Sequence, residues 1–254
     1  MIWAKNYSDA LLPRRAIVLG AGVVGVATAY ALARCGVEVT IIDRSGIAGN
    51  GASFANGAQL SYIYTDALAS NSLLKRLPFL ALGLDSSFRL RPSLDPSQIA
   101  WFMRFIRNCT RQRFLKNSLE GLQLGLESQL AMRALLEKHM IEFGHQSAGK
   151  MLVYDDTAAF KSACDMVSLR QSHGAAQEIL TPQEAINKEA ALAERAGSFV
   201  GAVYSPQEEL GDPHEFCNAL LSQLVTAYGV QVRMATEVES WKADKDTAIV
   251  LTKA

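Results

Sequence analysis

Three glycines and one carboxylate carry the spacing in this chain that can do recognisable chemistry. Gly20-Ala21-Gly22-Val23-Val24-Gly25 reads GxGxxG, and Asp43 follows roughly 20 residues on, where an acidic side chain reaches a ribose. Each glycine has a physical task. Gly20 permits a sharp turn, Gly22 lets backbone amides approach a pyrophosphate without a Cβ in the way, and Gly25 lets a helix pack closely on a strand. A helix that opens at this turn offers unpaired N–H groups and a partial positive charge to phosphate oxygens. Asp43 would accept hydrogen bonds from the adenosine ribose and repel a 2′-phosphate; Arg44 beside it is the one feature that favours such a phosphate. The motif therefore predicts a site for the ADP half of a dinucleotide, and its spacing alone does not choose between NAD and FAD.

Those residues need particular elements to hold them. Residues 16–19 form a short apolar run, a helical pattern spans 23–34 and ends at Gly36, and 37–42 reads as a second buried strand. Strand, glycine turn, helix and strand in under 30 residues make a βαβ unit, whose parallel strands require helices on the sheet faces, so the class is α/β. Residues 44–59 are small, polar and aperiodic, as expected of a long functional loop. Helical periodicity returns at Pro96, with Ile99, Phe102, Met103 and Ile106 on one face, and again over 119–140; these two helices are expected to pack together. Asp95-Pro-Ser-Gln, Thr181-Pro-Gln-Glu and Asp212-Pro-His-Glu each write a helix start. Strands are expected at 150–154, 201–204, 230–233, 236–241 and 248–252, with a polar turn at 243–246.

Composition excludes several other classes. Hydrophobic residues make up 49% and charged ones 20%, and 25 basic side chains balance 25 acidic ones, which argues against disorder and against a nucleic-acid-binding protein. No apolar run approaches the roughly 18 residues of a membrane span, and residues 1–15 lack the basic start and apolar core of a secretory signal, so a cytoplasmic setting is expected. Cys35, Cys109, Cys164 and Cys217 form no CxxC and read as core thiols. His139, His145, His173 and His214 show no metal-ligand spacing, and no catalytic base is assigned.

The loop after Asp43 goes further. Gly51-Ala-Ser-Phe-Ala-Asn-Gly-Ala-Gln-Leu60 resembles the flavin-contacting loop of the D-amino acid dehydrogenase family, part of the amine-oxidising flavoprotein group with glycine, sarcosine and D-amino acid oxidases. Leu94-Asp-Pro, Trp101 with Phe102, Phe105, Asn108-Cys-Thr and Gly211-Asp212-Pro with Phe216 are similar to that family too, so the likeness runs from about Arg15 to Val238. It implies FAD held non-covalently in an extended form by a glutathione-reductase-like Rossmann domain, beside a mixed α+β substrate domain. Ser53, Asn56, Gly57 and Gln59 would lie near the phosphates, ribityl chain and flavin edge, and the Val238 backbone near the adenine. The implied reaction oxidises the Cα–N bond of a D-amino acid: hydride leaves Cα for flavin N5, and the imine hydrolyses to a 2-oxo acid and ammonia. Implied partners are the amino-acid substrate and a respiratory acceptor such as a quinone, reached from the cytoplasm or peripherally at the inner membrane. The alternatives are a glycine- or sarcosine-type oxidase, and an FAD-binding subunit completed by a second polypeptide.

The sequence departs from the family in three places. Where the family reads Asn-Ala-Gly-Gln or Asn-Gly-Gly-Gln, this chain has Asn56-Gly57-Ala58-Gln59, whose Ala58 methyl would crowd the flavin. Tyr62-Ile63-Tyr64 runs on without the family's Pro-Trp stretch, which leaves the substrate open; Tyr62 and Tyr64, placed after the flavin loop, read as substrate contacts or equally as ordinary packing. Family members also continue past the position of Ala254, with strands that finish the sheet and the arginine that holds the substrate carboxylate. The expectation is thus an N-terminal portion: residues 14–96 and 205–254 contribute to the FAD domain, the second part incompletely, and 97–204 to the substrate domain. An unpaired strand edge and exposed apolar surface are expected to result.

Overall fold

The computed structural model describes residues 14–71, 73–74, 95–244 and 247–253. In chain order the elements are β1 (Arg15–Leu19), α1 (Val23–Arg34), β2 (Glu38–Ile42), β3 (Gln59–Leu60), α2 (Pro96–Asn108), α3 (Arg111–Lys138), β4 (Lys150–Tyr154), α4 (Thr157–Gln171), β5 (Glu178–Leu180) and α5 (Pro182–Lys188). A 3₁₀ turn at Ala190–Arg195 leads to β6 (Gly201–Ser205), β7 (Glu209–Leu210), α6 (Pro213–Tyr228), β8 (Gln231–Arg233), β9 (Val238–Ala243) and β10 (Ala248–Thr252). The chain divides into two compact units, one of residues 1–60, 134–147 and 209–254, the other of 61–133 and 148–208.

The first unit is built on the βαβ start. β1 and β2 pair in parallel from Arg15↔Glu38 to Leu19↔Ile42, and β8 joins the far side of β2, also in parallel. Val39, Ile41 and Ile42 of β2 are buried, as a central parallel strand requires. α1 buries Val26, Ala29 and Tyr30 and packs against α6, which contributes Phe216, Cys217, Leu220 and Leu224. α6 starts where Asp212 caps the amides of His214 (2.7 Å) and Glu215 (3.1 Å), and it ends at left-handed Gly229. β9 and β10 form an antiparallel hairpin, and β3 and β7 a two-residue ladder. The strand expected at 236–241 begins two residues later, because the Thr236 amide is drawn to the Asp43 carbonyl (2.9 Å) instead of a hairpin partner. Among the described residues the outer edge of β1 has no strand partner; Ile17 and Leu19 are exposed, as are Trp241, Ile249 and Leu251 on the hairpin.

The second unit holds an antiparallel sheet in the order β4-β6-β5. Its core gathers Leu180, Ala185, Phe199 and Ala202, with Met151 and Val153 packed on them. A second cluster joins Ile63, Leu122 and Ala175. α5 opens with the full capping box written at Thr181 and Glu184, whereas α4, capped by Asp156 on the Ala159 amide (2.7 Å), was not foreseen. α3 begins eight residues before the expected start, since its first turns carry Arg111, Arg113 and Lys116 and show no apolar period. The expected packing of α2 along α3 is not met: α2 buries no residue.

α3 instead receives the chain that follows the 51–60 loop. A Cβ at Gly125 would lie 2.0 Å from the Tyr62 carbonyl oxygen, and one at Gly121 2.8 Å from that of Thr65, so two glycines one turn apart let residues 62–65 lie directly on the helix. The same segment is held by Glu208, which is 2% exposed and whose Oε1 accepts the amides of Tyr62 (2.9 Å) and Ile63 (2.8 Å). Beside it, buried Arg170 donates to Asp66 and to Gln177 (3.2 Å), Gln177 donates to Ser205 Oγ (2.9 Å), and that hydroxyl lies 3.5 Å from the Tyr64 hydroxyl. Tyr62 is buried, and Tyr64 lies beneath the Lys150 ammonium (4.7 Å), its phenol pushed up by burial. Both candidate substrate contacts are therefore parts of this packed segment.

Replacing Glu208 with Ala strands two buried amides, so it is expected to lower the free energy of unfolding by about 2–4 kcal/mol in urea titration. A loss below about 0.5 kcal/mol would show that water takes over both amides and that the carboxylate does not hold the segment.

Candidate cofactor-binding site

The glycine turn joins β1 to α1 under tight steric control. Gly20 sits at φ +104° and donates its amide to the Ile42 carbonyl (2.8 Å), tying the turn to the end of β2. Gly25 is forced by proximity: a Cβ there would lie 1.9 Å from the Gly20 carbonyl oxygen. Gly22 is different. Its backbone is extended (φ −77°) and a Cβ would rest 3.4 Å from Ser53 Oγ, so packing tolerates a side chain that would stand in front of the helix end. Ala21 is wholly buried, Val23 half-buried, and Val24 81% exposed at the mouth of the turn. The first-turn amides of α1 have no intrahelical acceptors, and Gly22 supplies no side-chain cap.

Two distant residues converge on this turn. Asp43 Oδ2 accepts the Ala21 amide (2.6 Å) and Oδ1 the Ser45 amide (2.7 Å), so the carboxylate clamps the glycine turn to the loop beyond β2. A carboxylate offers about four lone-pair positions, which leaves capacity to accept from a ribose hydroxyl as well. Ser53 Oγ accepts the Val23 amide (3.2 Å) and so provides the missing helix cap from 30 residues away. Arg44 is exposed. The nearby Glu237 carboxylate is held below its usual range chiefly by its bond to Lys253 (2.8 Å), with a smaller contribution from Arg44.

The loop that carries Ser53 is held by α6, through residues the sequence reading did not single out as site supports. Gly49 (φ +69°) donates to the Ala21 carbonyl (2.9 Å), and a Cβ there would meet Cys217 Cβ at 3.1 Å and His214 Cα at 3.2 Å. The Asn218 side-chain Nδ2 donates to the Ala48 carbonyl (3.2 Å), and His214 Nδ1 lies 3.3 Å from the Gly49 carbonyl. Cys217 is wholly buried under this loop; burial pushes its thiol up to about 11, against the lowering effect of a contact with Ser53. The only sequence signal for these supports was the Asp212-Pro cap that starts their helix.

Further along, Asn56 Oδ1 accepts the Ala58 amide (2.8 Å) in a tight turn, and exposed Gly57 has open space around it. Ala58 takes φ +53°, a left-handed conformation that costs an L-residue energy, and its carbonyl accepts the Gly211 amide (2.9 Å). Gln59 then opens β3 opposite Leu210. Val238 begins β9 and is half-buried. Among the described residues no hydrogen bond links Asn56, Gly57 or Val238 to the glycine turn, so the residues that converge on one point are Gly20 to Gly25, Asp43 and Ser53. Unpaired helix amides, an open approach at Gly22 and a clamped carboxylate fit the pyrophosphate and ribose of an ADP moiety.

Comparison with known proteins agrees with this geometry. A family model described as FAD dependent oxidoreductase (DAO) matches residues 15–254. D-amino acid dehydrogenase 2 of Ralstonia nicotianae is 41% identical over 224 residues, 88% of this chain and 53% of that protein. D-amino acid dehydrogenase of Paramagnetospirillum magneticum is 36% identical over 233 residues, 91% of this chain and 55% of that protein. The chain thus spans about half the length of the curated relatives it matches. Among solved structures, glycine oxidase from Geobacillus kaustophilus shares the fold with a TM-score of 0.63 at 21% identity, over 94% of this chain and 51% of its own. L-proline dehydrogenase from P. horikoshii does so with a TM-score of 0.56 at 20% identity, over 95% and 50%.

Two outcomes follow from the loop geometry. Ala58→Gly is expected to raise stability by about 0.5–1 kcal/mol in thermal or urea unfolding, because release from the left-handed strain outweighs the entropy of glycine; a destabilisation would show that Ala58 is not strained. In maleimide labelling near neutral pH, Cys35 on the surface should react within minutes and Cys217 only on unfolding, a pattern that mass spectrometry of digested protein would read directly.

Proposed function

We propose that this chain, which belongs to the FAD dependent oxidoreductase family, supplies the ADP-binding half of an enzyme that oxidises the Cα–N bond of an amino acid. The observation that carries the reading is the convergence of the glycine turn, Ser53 and Asp43 on one helix N-terminus. Bound there, FAD supplies the two-electron acceptor for the hydride of the substrate Cα. The chain's own residues bind and orient. Gly20 and Gly25 bring α1 close to β1, and the α1 amides from Val23 to Gly25 receive the pyrophosphate. Ser53 supports that end of the cofactor, and Asp43 accepts the ribose hydroxyls. Asn56, Gly57 and Gln59 border the flavin, and the Val238 backbone meets the adenine.

The names of the relatives at 41% and 36% identity support a D-amino acid as substrate. In the same reading the electrons pass to a respiratory quinone, with the protein cytoplasmic and peripheral at the inner membrane, and a second subunit is a further partner. No helix among the described residues is long and apolar enough to cross a membrane.

The absorbance spectrum of the chain, incubated with FAD and freed of excess, tests the site. Flavin bands at roughly 375 and 450 nm are expected to persist after desalting. Gly25→Ala should abolish them, and Asp43→Ala should weaken retention by about tenfold, the loss expected for one or two charge-assisted hydrogen bonds. A folded wild-type chain that stays colourless would overturn the site. Bleaching of the bound flavin by D-alanine but not L-alanine under anaerobic conditions would support the substrate class, and bleaching by neither would overturn it for this chain.

A further inference from the structure

His214 reaches the cofactor end of the first unit from a helix that carries no part of the glycine motif. Asp212 caps α6 and Pro213 fills its first position, so His214 stands in the first turn, where a side chain leans back towards the helix N-terminus. There it meets the 48–54 loop at two points, one on either side of Ser53. Its Nδ1 lies 3.3 Å from the Gly49 carbonyl oxygen, and its ring meets that of Phe54 edge to face with centroids 5.1 Å apart. A Cβ at Gly49 would lie 3.2 Å from the same Nδ1, so the loop runs close against the imidazole.

The neighbouring amide decides which ring nitrogen carries the proton. Asn218, one turn on, has Nδ2 2.9 Å from the His214 carbonyl oxygen and 3.2 Å from that of Ala48, two acceptors that only its NH₂ group can satisfy. The same Nδ2 lies 3.4 Å from His214 Nε2, so Nε2 faces a donor and keeps its lone pair. Nδ1 faces a carbonyl and keeps the proton. Imidazole and amide together grip the loop at Ala48, Gly49 and Phe54, and the loop carries the grip onward. The Gly49 amide donates to the Ala21 carbonyl (2.9 Å), and Ser53 Oγ accepts the Val23 amide (3.2 Å).

We propose that His214, as the Nδ1–H tautomer, is a positioning residue for the cofactor: it sets Ser53 at the N-terminus of α1, where the serine hydroxyl still has a proton to give to a pyrophosphate oxygen. Both ring nitrogens are engaged by protein groups, which leaves neither for a metal ion or a substrate proton. The imidazole acts through the loop and transfers no proton itself. For its purpose the assignment rests on the reading of this helix end as the FAD site.

Two substitutions test it. His214→Phe keeps a ring against Phe54 and removes both nitrogens, whereas His214→Asn keeps an NH₂ group that can donate to the Gly49 carbonyl. FAD titration of the 254-residue chain should show affinity reduced about fivefold or more by His214→Phe and held within about twofold by His214→Asn. In a Ser53→Ala background His214→Phe should add less than about twofold, because the group that it positions is gone. Without flavin, long-range proton–nitrogen correlation should place the His214 proton on Nδ1, and the Val23 amide resonance should move upfield in His214→Phe as it does in Ser53→Ala. Circular dichroism checks folding; if His214→Phe does not fold, Asn218→Leu removes the other half of the grip and should give the same changes. An equal loss of FAD affinity with and without Ser53, a proton on Nε2, or an unmoved Val23 resonance would each overturn the proposal. A wild-type chain that binds no FAD would sink the cofactor reading alone, since the two resonance measurements still judge the grip.

Discussion

The approach of α1 to β1 at the glycine turn is the constraint on which the rest of the first unit depends. The Gly20 carbonyl oxygen occupies the space that any side chain at Gly25 would need, so the helix starts as close to the strand as two backbones permit. That closeness sets the Ala21 amide of the turn where Asp43 accepts it and the first helical amide, that of Val23, where Ser53 accepts it. Shifting the helix outward by the width of a methyl group would break both long-range bonds together. The glycines, the carboxylate and the distant hydroxyl are one geometric unit, and its parts have little meaning apart.

What was legible in the sequence follows from the range of the forces involved. The βαβ unit, its parallel pairing and the three proline-marked helix starts are local, and they stand where capping chemistry and apolar period place them. The resemblance to amino-acid-oxidising flavoproteins agrees with the family match over residues 15–254. What escaped was set by tertiary contact. α4 has a weak apolar period, and nothing in its composition announces it. The start of α3 was missed because its first turns are polar, and the packing of α2 on α3 was inferred from a periodicity that the structure leaves half in solvent. The hold of His214, Cys217 and Asn218 on the loop before Ser53 joins residues about 170 positions apart, and no local pattern encodes that.

The second unit solves a different problem, that of carrying an irregular strand across a helix. Among the described residues segment 62–65 joins no strand ladder, and one buried carboxylate accepts two of its amides. Glycines at 121 and 125 bring it close enough for this, and the chain of groups from Asp66 through Arg170, Gln177 and Ser205 to Tyr64 fixes its far end. Such a network tolerates little partial occupancy, because each member lost leaves the next unsatisfied in a medium of low polarity. Tyr62 and Tyr64, singled out for their position after the loop, belong to this packed segment, the first buried and the second half-buried.

The serine that caps α1 from a distance gives the Val23 amide an acceptor from a loop 30 residues away. In the proposed site that same amide would face a phosphate oxygen, so binding there would exchange one acceptor for another, hydroxyl for phosphate. Its free energy would then measure the difference between the two rather than the full strength of either. The position of the serine loop and the affinity for an anion would be two readings of a single balance.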